Sequence, residues 1–137
     1  MMGVPESRRT LSRYEFQAQA TAIRTEVITL ASGPLIPKSQ RFLIAIPMSG
    51  TARLLVEHLT RAAAYWPNSQ ENAGMRRKYM TEAVADCELL MQDLQTAGMT
   101  CDRIKPSRVA RLIAMLDREI ALIKGARKNI RVIGSKE

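Results

Sequence analysis

Catalysis and metal binding need acids, bases, nucleophiles or ligands that can converge, and this chain offers few. His58 is its only histidine. It lies between Glu57 and Leu59, with no second histidine for a zinc site and no Glu-x-x-His pattern of the kind that holds paired metals in helical bundles. A surface or boundary position accounts for it. Cys87 and Cys101 are too far apart for a metal-ligand pair. Cys87 falls on an apolar stripe, where a thiol behaves as a small hydrophobe, and Cys101 has Asp102 beside it, so no neighbouring cation activates it. Gly33, Gly50, Gly74 and Gly98 are isolated and form no phosphate-cradling loop. The residues therefore point to a protein without catalytic residues, metal or cofactor.

Positive charge is abundant, and its placement is uneven. The 137 residues hold 21 Lys and Arg against 13 Asp and Glu, a formal charge of +8. Residues 1–102 are nearly balanced at +1, whereas residues 103–137 carry +7. The basic set comprises Arg108, Arg111, Arg118, Lys124, Arg127, Lys128 and Arg131, with Arg76, Arg77 and Lys78 as a second cluster and Arg8, Arg9 and Arg13 near the start. Taken singly, each is ordinary solvated surface. Taken together, they suit a polyanion: arginine offers a planar two-donor fork to phosphate, and lysine a compact charge. Nucleic acid is the expected partner, held mainly through backbone phosphates. Aromatics are 4% of the chain, which leaves little for base stacking.

Apolar residues recurring at three and four positions predict the helices that must position these groups. The first spans about residues 10–31, with Phe16, Ala20, Ile23, Val27 and Leu30 on one face, and Ser32-Gly33-Pro34 stops it. The second spans 37–65, with Phe42, Ala45, Ser49, Ala52, Val56, Leu59 and Ala63 inward and a bend at Pro47 and Gly50. The third spans 70–97, capped by Asn68 or Ser69 and ended by Gly98. The fourth spans 106–125, with Val109, Leu112, Ile113, Leu116, Ile120 and Ile123 inward, and residues 126–137 form a basic tail. A single all-α domain follows: an antiparallel up-down-up-down four-helix bundle over residues 1–137. No apolar run reaches a membrane span and the polar start does not read as a signal peptide, so a cytoplasmic setting is expected. The last helix commits its apolar stripe to the core, which argues against a membrane partner.

Ile36-Pro37-Lys38-Ser39-Gln40-Arg41-Phe42 resembles the "FPKSERF"-like opening of helix two in the Avd-type bundle proteins. These are the accessory variability determinants of diversity-generating retroelements, related to bundle proteins encoded by intervening sequences of ribosomal RNA genes. Met75-Arg76-Arg77-Lys78-Tyr79 is similar to that family's "LRR"-type start of helix three, and Leu116-Asp117-Arg118-Glu119-Ile120 to its "LDEIGR" segment. The resemblance covers about residues 10–128. It implies a homopentamer with a basic surface that engages RNA or DNA and docks a reverse transcriptase during mutagenic retrohoming. The alternative is a structural, protein-interaction bundle of the intervening-sequence type with no reverse transcriptase partner.

Overall fold

The computed structural model describes residues 15–133. They form α1 (Glu15–Ser32), α2 (Ile46–Ala64), α3 (Gln70–Thr100) and α4 (Pro106–Lys128), and no strand occurs among the described residues. Residues 10–14 of the expected first helix, the early arginines Arg8, Arg9 and Arg13, and the last four residues of the tail lie outside the described set.

Cross-contacts give the packing. Arg111 meets Glu26 and Arg118 meets Glu15, so α4 descends as α1 rises. Gln17 donates to the Leu59 carbonyl while Ile28 and Ala31 face Ala45 and Ser49, giving α1 and α2 opposite senses. Gly98 faces Val109 and Arg127 bonds Thr81, which sets α3 against α4 in the same way. The shared core holds Ile23 and Leu30 from α1, Leu55 and Leu59 from α2, Leu90 and Leu94 from α3, and Leu112, Leu116 and Ile123 from α4, all below 2% exposed. Burial of each such side chain contributes about 1.5–3 kcal/mol.

The entry to α2 departs most from expectation. Pro37 precedes a 3₁₀ turn (Lys38–Gln40), and a π-helical turn (Arg41–Ala45) follows before α2 begins. Pro47 thus sits in the first turn of α2, where its missing N–H costs least. The wide turn, with the Ile46 N–H on the Arg41 carbonyl, directly precedes the proline. An extra residue per turn also rotates the apolar phase. Ile44 and Ala45 go inward, and Phe42, expected in the core, is 78% exposed. Further along, the buried line runs through Met48, Leu55 and Ala62, one position before the expected Ser49, Val56 and Ala63, which are half-buried. The helical path Lys38–Ala64 is long and apolar enough to cross a membrane by length and composition, although its buried line packs in the bundle.

Gly98, expected to end the third helix, is itself helical. Ser69 caps α3 by accepting from the Asn72 N–H at 3.1 Å, and α3 runs through Gly98 to Thr100. A Cβ on Gly98 would lie 3.1 Å from Val109 Cγ2, so this glycine marks close approach of α3 and α4. The G98A variant is expected to be nearly neutral, because a displacement of Val109 is offset by about 1 kcal/mol of helix propensity. The G98L variant forces the helices apart, and urea unfolding should show a loss of about 1–3 kcal/mol. Gly125 likewise lies inside α4, which ends at Lys128 with the Asn129 N–H shared between the Gly125 and Ala126 carbonyls.

Candidate nucleic-acid interface

Antiparallel packing of α3 on α4 brings the start of one helix to the end of the other. The Arg76-Arg77-Lys78 cluster and the C-terminal cluster, separated by about fifty residues of sequence, therefore share one end of the bundle. Arg77 Nη2 donates to the Ile130 carbonyl at 3.2 Å, and Arg127 Nη1 to Thr81 Oγ1 at 3.0 Å. Arg131 donates to the Lys128 and Ile130 carbonyls at 3.3 Å, fixing the turn after α4. Arg76 reaches the Tyr65 carbonyl at 3.3 Å, and the Ile133 N–H donates to the Pro67 carbonyl at 2.8 Å. The α2–α3 connection, the start of α3 and the chain after α4 are thereby tied together.

None of these six bonds consumes a charge, because carbonyls and a hydroxyl are neutral acceptors. Lys78, Lys124 and Lys128 are exposed, and neither they nor Arg77, Arg127 and Arg131 form an ion pair among the described residues. A cleft of about 370 Å³ opens beside them, lined by Trp66, Arg76, Met80, Ile130, Arg131 and Ile133. Trp66, 49% exposed, places an aromatic ring at its rim, a feature that the low aromatic content of the chain does not suggest.

Three of the expected residues lie elsewhere. Arg111 forms a two-pronged pair with Glu26 at 3.0 and 3.1 Å, and hydrogen bonding to this guanidinium lowers the pKa of the Glu26 carboxyl. Arg118 pairs with Glu15. Both clasp the α1–α4 seam, and neither is a free phosphate ligand. Arg108 is half-buried near the opposite end and adds to the field on Glu26.

Two polar features lie deeper. His58 takes a boundary position on α2, its Nδ1 facing Asp86 Oδ2 of α3 at 2.5 Å, and its ring stacks on Tyr79, which stacks on Tyr65. Burial raises the Asp86 pKa, and the His58 hydrogen bond opposes that shift. Removing the histidine would strand a carboxyl that is 5% exposed. The H58A variant should therefore lose about 1–3 kcal/mol in urea unfolding. D86N, whose amide oxygen still accepts from the ring, should lose less.

Glu119 is the second. It is 0% exposed in the core of the bundle, and neither carboxyl oxygen has a hydrogen-bond partner among the described residues. Burial, reinforced by the Glu15 charge and opposed by Arg118, pushes its pKa up to about 8. Cys87 shares this level, fully buried, with its thiol pKa raised by burial and then by the Glu119 charge. Cys101 caps α3 and is buried, its Sγ 3.6 Å from Gln40 Oε1. No group of three metal-ligating side chains occurs among the described residues. No protein-family model, curated protein or solved structure matches the chain.

Proposed function

We propose that this chain is a non-enzymatic, nucleic-acid-binding accessory protein that grips backbone phosphates with the basic end formed by α3 and α4. One observation carries the reading: two basic clusters distant in sequence join into one surface whose cations are held in place by neutral acceptors. Phosphate is the complementary ligand for such a surface, and Trp66 at its rim favours unpaired bases beside it. The resemblance to Avd-type proteins extends the proposal to a homo-oligomeric, pentameric ring in the cytoplasm that docks a reverse transcriptase. A ring would multiply the modest affinity of each basic end through effective concentration.

Fluorescence anisotropy with labelled single-stranded RNA and duplex DNA over a salt series tests the reading. Binding should weaken linearly on a log–log plot, with a slope of about −0.9 per phosphate neutralised on duplex. The commitment of Arg111 and Arg118 to carboxylates favours a second reading, a protein-interaction bundle whose basic end meets an acidic protein. Absence of salt-sensitive binding to either nucleic acid would select it. A reverse transcriptase gene and template repeat beside this one would support the retroelement reading.

A further inference from the structure

The opposite end of the bundle, where α1 leads into α2, carries a surface for which nucleic-acid binding has no use. Phe42 and Leu43 are each 78% exposed, and Ile46 and Ile28 are 51% and 39% exposed. The π turn places the first two outside, while Ile28 and Ile46 line a groove of about 520 Å³ between α1 and the start of α2. Exposed apolar side chains gathered in this way mark a contact surface. Beside them, α1 shows solvent an uncharged row, Thr25, Thr29 and Ser32. Each hydroxyl donates back to the carbonyl four residues earlier, at 3.0, 2.8 and 2.7 Å. These groups are already satisfied, so covering them costs little.

Cations share this end with the apolar tips. Lys38 and Arg41 flank the π turn. The α3–α4 connection is fastened to the same end, with Gln40 Nε2 donating to the Thr100 carbonyl at 3.2 Å, and it adds Arg103 and Lys105. All four cations are exposed, and none forms an ion pair among the described residues. Asp102 is the one acid in these two connections.

Bulky apolar tips beside four cations without an ion pair among the described residues fit an anionic bilayer surface. The apolar groups leave water at the headgroup–acyl boundary, and the cations stay among phosphates. A second copy meeting this surface face to face would set like charges together. Nucleic acid would seek stacking rings, and Phe42 is the one aromatic of the four apolar tips. We propose that this end docks on membranes rich in anionic phospholipid, such as a cytoplasmic leaflet, with Phe42 and Leu43 inserted and Lys38, Arg41, Arg103 and Lys105 on phosphates. The buried apolar line of α4 stays in the core, since the contact is made by the turn before α2 and the α3–α4 connection.

Co-sedimentation with vesicles tests this. The full chain should pellet with phosphatidylcholine–phosphatidylglycerol vesicles and stay in solution with phosphatidylcholine alone. F42S/L43S, which changes only exposed side chains, should lower retention by about tenfold or more with unchanged helical circular dichroism. K38E/R41E should do the same, and K124E/K128E at the far end should not. A second readout places the contact: in F42W/W66F, brominated acyl chains should quench the indole, whereas native Trp66 at the opposite end should stay bright. Retention of F42S/L43S equal to the parent, equal binding to phosphatidylcholine alone, or quenching of Trp66 would overturn the proposal. So would a dimer mass in solution that F42S/L43S abolishes, or loss of RNA binding in F42S/L43S with K124E/K128E unaffected.

Discussion

Thermal and urea stability should fall as pH rises from 4.5 to 8, and E119Q should remove most of that slope. Folded Glu119 holds its proton up to about pH 8, whereas in the unfolded chain it releases it near 4.5. Between those values unfolding releases a proton, so raising the pH favours the unfolded state. The stabilising term is complete below pH 4.5, fades across the window and is gone above 8. At about 1.4 kcal/mol per pH unit, the interval amounts to about 5 kcal/mol, a large share of a small domain's stability. Glutamine copies the shape of the protonated acid but cannot ionise, so E119Q should match the parent near pH 5 and exceed it by several kcal/mol at pH 8.5. Leucine also removes the two unpartnered oxygens, so E119L should gain about 1–3 kcal/mol more, less any packing mismatch. Asp86 and Asp93, whose pKa values burial raises in the same direction, titrate in both proteins and cancel in the difference. Parallel pH profiles for parent and E119Q would show that the Glu119 carboxyl meets water.

Helix type and number were readable because each apolar stripe extends over several turns and the Trp66-Pro67-Asn68-Ser69 and Ser32-Gly33-Pro34 connections are unambiguous. Glu119 is hidden because an apolar stripe along α4 passes over a charged letter. Its spacing was nevertheless visible: Leu112, Leu116, Glu119 and Ile123 step by four, three and four, and all four are buried. Asp86 was missed similarly, between the buried positions Ala83 and Leu90 and next to Cys87. Phe42 was misplaced for a different reason. A helical period of 3.6 predicts its direction, but a π turn before a proline changes the period locally, and composition does not reveal that. Gly98 reads as a stop because glycine often ends helices, yet the close approach of Val109 gives it a packing role that only the partner helix reveals. Within the basic set, charge was evident but pairing was not. Arg111 and Arg118 point in the same direction seven residues apart, and the carboxylates they meet belong to a helix about 85 and 103 residues earlier.

That difference between free and paired cations sets the other large effect. K78E/K124E/K128E should lower affinity for duplex DNA by on the order of 10³-fold at 50 mM salt, from three lost phosphate contacts at a log–log slope of about −0.9 each. The slope itself should flatten by about 2.7, a readout that general loss of fold would not produce. All three lysines are exposed and their side chains make no hydrogen bond among the described residues, so helicity and oligomer mass should be unchanged. R111Q/R118Q changes two cations of the same helix that are already neutralised by Glu26 and Glu15. It should leave nucleic-acid affinity close to that of the parent while loosening the α1–α4 seam. W66A should weaken single-stranded RNA by about 1–3 kcal/mol and leave duplex DNA unaffected, since stacking needs an unpaired base. If R111Q/R118Q instead matched the triple lysine variant, the binding surface would run along the outer face of α4. If neither affected binding, the basic end would be free to meet an acidic protein. The pairing of each cation therefore predicts function better than its place in the sequence, because a guanidinium held by a carboxylate must first lose that partner to hold a phosphate.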